Sequence, residues 1–201
     1  MACPEFAAGM YLAYMPVAMI LSVWSGKIIT MTGRYNTFND DCMNLFRKKT
    51  IEQIGKRLLK RKENIAVAES VTAGLLQFGL STAPDAAMFF QGGITAYNVG
   101  QKCKHLQVEP LHALAVDCVS QQVAKEMAHQ VSTLFGSHWG IGVTGYATAV
   151  PASGNKVFAF YAIVYKHKLK AYGKITAQTA DPPVLQLRYA SYIFEQLSKK
   201  L

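Results

Sequence analysis

The sequence predicts an α/β fold, a three-layer α/β/α sandwich around a mixed β-sheet, and three observations carry that expectation. Strand-like apolar runs alternate with helix-like amphipathic segments from about residue 45 to the C-terminus. The first run, Ile65–Ala68, stops at Glu69-Ser70 and passes through small residues into a helical pattern. Near the end, Lys156–Tyr165 and Leu169–Thr176 read as an antiparallel pair about Lys166-His167-Lys168, which makes the sheet mixed.

The elements follow in order. Between Arg47 and Lys62 the chain is rich in Lys and Arg, yet Ile51, Ile54, Leu58 and Leu59 recur at helical spacing. That pattern is a helix with an apolar face on the sheet and a basic face in solvent. Ile65–Ala68 is the first strand, Thr72–Leu80 a helix, and Ala83-Pro84-Asp85 a loop. Phe89–Tyr97 supplies a second strand and Gly100–Leu106 another helical piece. Ser120 is suited to cap Gln121–Leu134, where Val123, Met127, Val131 and Leu134 form an apolar stripe. Trp139–Thr144 reads as a strand ending at Thr144-Gly145, and Val184–Leu197 as a closing helix after Pro182-Pro183. The strand ends at Ser70, Tyr97 and Thr144 are then expected to meet on one edge of the sheet, where open α/β folds place their ligands.

Ser70 is the first chemical candidate. A serine at a strand end, before a helix expected to begin near Thr72, has its hydroxyl held out of the sheet, and free N–H groups of that helix terminus can stabilise an oxyanion. Serine needs a base, and lysine serves only if burial or a neighbouring cation lowers its pKa. Lys102, in a stretch that is otherwise small, apolar or neutral polar, is the candidate base, and Tyr97 stands ready to relay a proton or orient the amine. On the residues alone a plainer reading stands beside this one: Ser70 as a helix cap, Tyr97 as a half-buried strand aromatic, Lys102 as a solvated cation. A short-chain dehydrogenase is excluded, because Tyr97 and Lys102 are five apart rather than four and no Gly-x-Gly-x-x-Gly follows an early strand.

The wording of these stretches adds to the residue chemistry. Ala68-Glu-Ser-Val-Thr-Ala-Gly74 resembles the Ala-Glu-Ser-Cys-Thr-Gly-Gly signature of the C-terminal domain of the CinA family, the competence/damage-inducible proteins whose stand-alone members are nicotinamide-nucleotide amidohydrolases. Phe90-Gln-Gly-Gly-Ile-Thr-Ala-Tyr-Asn-Val-Gly-Gln-Lys102 resembles that family's Gly-Gly-x-x-x-Tyr-(Ser/Asn)-x-x-x-Lys segment. Leu106-Gln-Val108, Cys118-Val-Ser120 and Gly142-Val-Thr-Gly145 match its Leu-Gly-Val, Ala-Val-Ser and Val-Thr-Gly runs. The likeness covers about residues 45–200.

The resemblance implies an enzyme that hydrolyses the carboxamide of nicotinamide mononucleotide to nicotinate mononucleotide and ammonia. It implies Ser70 as nucleophile, Lys102 as general base and Tyr97 as their hydrogen-bonding partner. Thr144, Gly145, Thr72, Gly74 and Arg188 are the expected substrate-binding residues. No cofactor and no metal are expected, the partner is a small-molecule nucleotide, and the protein is expected to be a cytoplasmic homo-oligomer. A domain that binds a nucleotide-like ligand without turnover is the alternative.

In the serine motif Val71 and Ala73 replace the family's Cys and first Gly, small changes, and the chain departs further in two longer stretches. Tyr146-Ala-Thr-Ala-Val-Pro-Ala-Ser-Gly154 stands where the family reads Ala-Gly-Pro-x-Gly-Gly, with fewer positions at which the backbone can approach a ligand closely. Ala180-Asp-Pro-Pro-Val184 stands where a Gly-Asp-Arg run supplies a phosphate partner, which leaves Arg188 or Lys156 to replace it.

Composition excludes several other classes. With 201 residues and 51% hydrophobic content the chain is globular. Cys3, Cys42, Cys103 and Cys118 form no Cys-x-x-Cys pair, and the five histidines have no metal-ligand spacing. The net charge of +9 raises a basic nucleic-acid-binding protein, but much of the excess sits on one amphipathic helix with no recognition motif, so no nucleic acid is expected. Residues 43–201 are expected to be a single domain. Residues 1–42 are expected to be a disordered or misassigned extension. Its apolar stretch Ala7–Trp24 is interrupted by Pro16 and lacks a preceding basic residue, so no membrane association is expected.

Overall fold

Alternate residues of the central strands are apolar toward opposite faces, and that alternation sorts the helices into two layers. The computed structural model describes residues 46–178 and 180–201; the extension expected over 1–42 lies outside them. Five strands, β1 (Ile65–Glu69), β2 (Phe90–Thr95), β3 (Trp139–Tyr146), β4 (Phe158–Tyr165) and β5 (Lys168–Thr176), lie in the order β2-β1-β3-β4-β5. β1 is parallel to β2 and β3, while β4 runs antiparallel to both β3 and β5, so the sheet is mixed.

Ile65, Val67, Ile141, Val143 and Ile163 face one layer, made by α1 (Lys48–Arg61), α2 (Leu75–Ser81) and α6 (Pro182–Lys200). Ile54, Leu58, Leu76, Leu80, Leu185 and Phe194 complete that core. Ala66 and Ala68 face the other, where Leu106 of α3 (Val99–Leu106), Ala113 of α4 (Pro110–Ala115) and Val123, Met127 and Val131 of α5 (Gln121–Leu134) pack. The three-layer mixed α/β sandwich read from the sequence is therefore the fold observed. On β3, Gly140 and Gly142 let α5 lie directly on the sheet: a Cβ at either would run into the carbonyl oxygen of Ala128 or Ala124.

Several element ends shift by one to three residues, β2 among them, which ends at Thr95 rather than Tyr97, and α4 is an addition to the expected elements; three of the differences have a clear local reason. α2 begins at Leu75 rather than Thr72, because Ala73 and Gly74 are left-handed, with φ 53° and 100°. α4 has only six residues, too short to show a period, yet Pro110 opens it and Glu109 caps it by accepting from the amides of Leu111 (2.9 Å) and His112 (2.6 Å). β3 continues past Thr144 to Tyr146, paired with Phe158 of β4. That extension carries Tyr146 to the carboxyl end of the sheet.

Candidate active site

The site begins where β1 ends. Glu69 is fully buried, and its carboxylate turns back over the following residues. One oxygen accepts from the Thr72 hydroxyl (2.6 Å) and the amides of Gly74 and Leu76 (3.1 Å each); the other accepts from the amide of Gln77 (2.9 Å). A carboxylate at a helix N-terminus satisfies donors the helix leaves open and complements its dipole. The terminus of α2 is thus filled by the protein itself and is not the free anion site the sequence suggested. In the turn directly after Ser70 the amides of Val71 and Thr72 donate no hydrogen bond within the described residues.

Removing that carboxylate leaves buried donors unpaired at about 1–3 kcal/mol each. Glu69→Ala is therefore expected to destabilise the fold by about 3 kcal/mol or more, read from urea unfolding, with Glu69→Gln losing less because its amide oxygen still accepts.

Ser70 and Lys102 meet at this turn. Ser70 is 7% exposed and Lys102, from the first turn of α3, is 1% exposed. The Lys102 amine lies 3.0 Å from the Ser70 hydroxyl oxygen and donates to the Tyr97 carbonyl at 3.0 Å. Asn98 fixes the start of α3 by accepting from the Gln101 amide (2.9 Å), so the helix delivers the lysine from a set origin. Burial pushes the Lys102 pKa below the ordinary lysine range, opposed by the negative charge that Cys118, Asp117 and Cys103 would carry.

The other sequence candidates take varied places. Tyr97 touches the amine through its backbone carbonyl, whereas its side chain is 64% exposed. Thr72 and Gly74 are engaged with Glu69 as described, and Gly74 serves the turn through its positive φ. The hydroxyl of buried Thr144 donates to the Cys118 carbonyl at 2.8 Å. Gly145 packs so closely on β4 that a Cβ would meet the Phe158 carbonyl oxygen. Arg188 is exposed on α6, beside Tyr189, whose hydroxyl donates to the Tyr146 carbonyl (3.2 Å) and so brings the first turns of α6 to the carboxyl end of β3. Val184 is exposed in the first turn of α6.

Sequence reasoning missed Asp117, in the loop between α4 and α5. Asp117 and Cys118 are both left-handed, with φ 49° and 59°, and the Tyr146 hydroxyl donates to the Asp117 carboxylate at 2.8 Å. Burial, with the Asp117 bond and charge, holds the Tyr146 phenol up to about 12, so it remains a donor. Burial likewise pushes the Cys118 thiol up. The family-like Cys118-Val-Ser120 run and the cap Ser120 mark this loop in the sequence, but neither points to Asp117. Among the described residues no group of three or more His, Cys, Asp or Glu gathers as a metal would need, and no helix is long and apolar enough to cross a membrane.

A mixed α/β/α sandwich with a serine and a buried lysine joined at a strand's carboxyl end describes a class of domain; comparison with known proteins supplies the family. The chain matches the CinA C-terminal domain over residues 47–168 and belongs to that family. A CinA-like protein of Prochlorococcus marinus (strain NATL2A) is 39% identical over 115 residues, 57% of this chain and 26% of that protein. One from Trichodesmium erythraeum (strain IMS101) is 40% identical over 94 residues, 47% of this chain and 22% of that protein. The chain thus spans about a quarter of the length of the curated relatives it matches. Two crystal structures of CinA superfamily proteins share the fold. The one from Escherichia coli has TM-score 0.73 at 22% identity, over 79% of this chain and 92% of that one. The one from Klebsiella pneumoniae 700603 has TM-score 0.71 at 21% identity, over 76% and 95%.

Proposed function

We propose that this domain hydrolyses the carboxamide of nicotinamide mononucleotide to nicotinate mononucleotide and ammonia, with Ser70 as nucleophile and Lys102 as base. The observation that carries the reading is the buried Lys102 amine 3.0 Å from the Ser70 hydroxyl. The resemblance to a family with nicotinamide-nucleotide amidohydrolases supplies the substrate.

With the amine neutral, the contact reverses and the Ser70 O–H donates to the Lys102 lone pair. As Oγ bonds to the amide carbon, its proton passes to Lys102 and the carbonyl electrons move onto oxygen, toward the open amides of Val71 and Thr72. The ammonium then gives its proton to the amide nitrogen, the C–N bond breaks and ammonia leaves. A water, deprotonated by Lys102, adds to the resulting ester; Oγ leaves with the proton returned by Lys102, and the carboxylic acid product ionises by giving its proton to solvent or to the released ammonia. The Tyr97 carbonyl, accepting one amine hydrogen, aims the lone pair at Ser70 throughout.

The test is ammonia release from nicotinamide mononucleotide by the purified full-length chain, matched by nicotinate mononucleotide formed. Because the neutral amine is the base, kcat/KM should fall as pH drops through the Lys102 pKa in the fold, and that limb should lie below the ordinary lysine value of about 10.4. A rate that stays flat from acid to alkaline pH would exclude lysine as the base. Ligand binding with no ammonia released would favour the non-catalytic domain. The proposal includes a reducing, cytoplasmic setting, which suits the free thiols Cys103 and Cys118, and self-association, for which exposed Leu111, Leu114 and Tyr97 offer apolar surface.

A further inference from the structure

We infer that Asp117 makes this site selective for carboxamides carried on a cationic ring, a pyridinium rather than a neutral aromatic, and that Tyr146 holds the Asp117 carboxylate in position for it. The inference rests on the hydrolase reading above and refines its substrate class.

The placement comes from the strands. Along β3, Ile141 and Val143 join the core beneath α1 and α6, while Gly142, Thr144 and Tyr146 point to the layer that holds Lys102. Ala68 pairs with Gly142, and Ser70 and Thr144 each follow two residues further along their chains, toward the carboxyl end of the sheet. Two successive outward residues of β3 then tie down two successive residues of the α4–α5 loop: Thr144 donates to the Cys118 carbonyl and Tyr146 to the Asp117 carboxylate, each at 2.8 Å. The Tyr146 ring is itself fixed edge-on against Phe158, with centroids 5.5 Å apart. Asp117 therefore stands on the same face as Ser70, on the adjacent strand's side of the site. Only one of its carboxylate oxygens is engaged, and the residue is open to solvent.

The charges point the same way. Asp117 is the one carboxylate that bears on Lys102; the other groups that do so are the thiols Cys118 and Cys103, and among the described residues no second cation does. With an amide carbon within attack distance of Ser70, about 3–3.5 Å, and the buried lysine on its inner side, the proposed pose lays the ring along the end of β3. A meta ring nitrogen then lies one ring width out, on the Asp117 side. If that nitrogen carries a fixed positive charge, the carboxylate attracts it, and the ring itself, by displacing water from beside Asp117, strengthens the attraction. A neutral ring of the same shape gains nothing from it.

A plain structural clamp between loop and strand would weaken every substrate alike, so the test is a ratio. The full-length protein is assayed with nicotinamide riboside, a pyridinium without phosphate, and with benzamide riboside, its uncharged isostere, before and after Asp117→Asn, which keeps an acceptor for Tyr146. The kcat/KM ratio of cation to neutral compound is expected to fall about tenfold or more in the variant, through KM. Tyr146→Phe, which frees the carboxylate without removing it, should lower the ratio by less. The wild type should also be inhibited more strongly by the 1-methylnicotinamide cation than by benzamide, a reading that does not depend on any variant folding. An unchanged ratio in an active Asp117→Asn enzyme, or equal inhibition by the two amides, would overturn the inference and leave the hydrolase standing. Failure of the wild type to hydrolyse nicotinamide mononucleotide or either riboside would overturn the hydrolase reading itself, and this one with it.

Discussion

Ser70→Ala is expected to lower kcat for carboxamide hydrolysis by about ten-thousandfold or more, with ligand affinity and unfolding midpoint nearly unchanged. On the proposed mechanism the substitution removes the atom that would form the covalent bond, and residual rates in such variants come from binding and oxyanion stabilisation alone. The turn does not rely on the lost hydroxyl. Its shape is set by the Glu69 carboxylate and by the Ala73 amide donating to the Ser70 carbonyl (3.1 Å), and alanine keeps both. Steady-state ammonia release, calorimetric binding and urea unfolding measured together check the three parts. Equal turnover in variant and wild type would remove Ser70 from the mechanism.

Lys102→Met should likewise cost most of the turnover, while leaving stability equal to or above that of the wild type. Methionine nearly fills the lysine's volume but cannot take the Ser70 proton, and the loss of a positioned base costs at least about a hundred- to ten-thousandfold. The sign of the stability change follows from burial. A lysine whose pKa is lower in the fold than in the unfolded chain binds fewer protons when folded, so between those two values stability rises with pH and is lost as pH falls. An apolar side chain escapes that penalty, at the cost of leaving the Tyr97 carbonyl without its donor. Lys102→Met is therefore expected to lose activity while unfolding at equal or higher urea than wild type at neutral pH, with a shallower pH dependence of stability. A markedly less stable variant would mean the amine supports the fold rather than the chemistry.

The sandwich was legible in the chain because it rests on local signals, whereas Ser70 and Lys102 stood out as candidates whose pairing needed the family resemblance beside them. Period-two and helical apolar patterns give β1, α5 and the hairpin, and a serine at the end of an apolar run followed by a lysine in a stretch poor in charge points to a nucleophile and base. What was not legible depends on contacts between distant residues. The sequence makes Glu69 an ordinary strand-end acid; only the fold turns its carboxylate onto the Gly74, Leu76 and Gln77 amides and so occupies the helix terminus that had been read as an anion site. Tyr97 shows the limit from the other side, since its side chain drew attention and its backbone carbonyl makes the contact. Asp117 and Tyr146 lie far apart in sequence and meet because β3 runs two residues beyond Thr144, an extension set by pairing with β4 rather than by any feature of β3 alone.

The central claim, that Ser70 attacks the amide carbon and holds an acyl group, is tested most directly by partition with hydroxylamine. An ester intermediate is open to any small nucleophile after ammonia has left. The full-length protein turning over nicotinamide mononucleotide in rising hydroxylamine should release ammonia at an unchanged or higher rate, while the hydroxamate appears at the expense of nicotinate mononucleotide. Ammonia released with nicotinate mononucleotide as the sole product at every hydroxylamine concentration would mean that water attacks the amide directly, and would contradict the Ser70 mechanism.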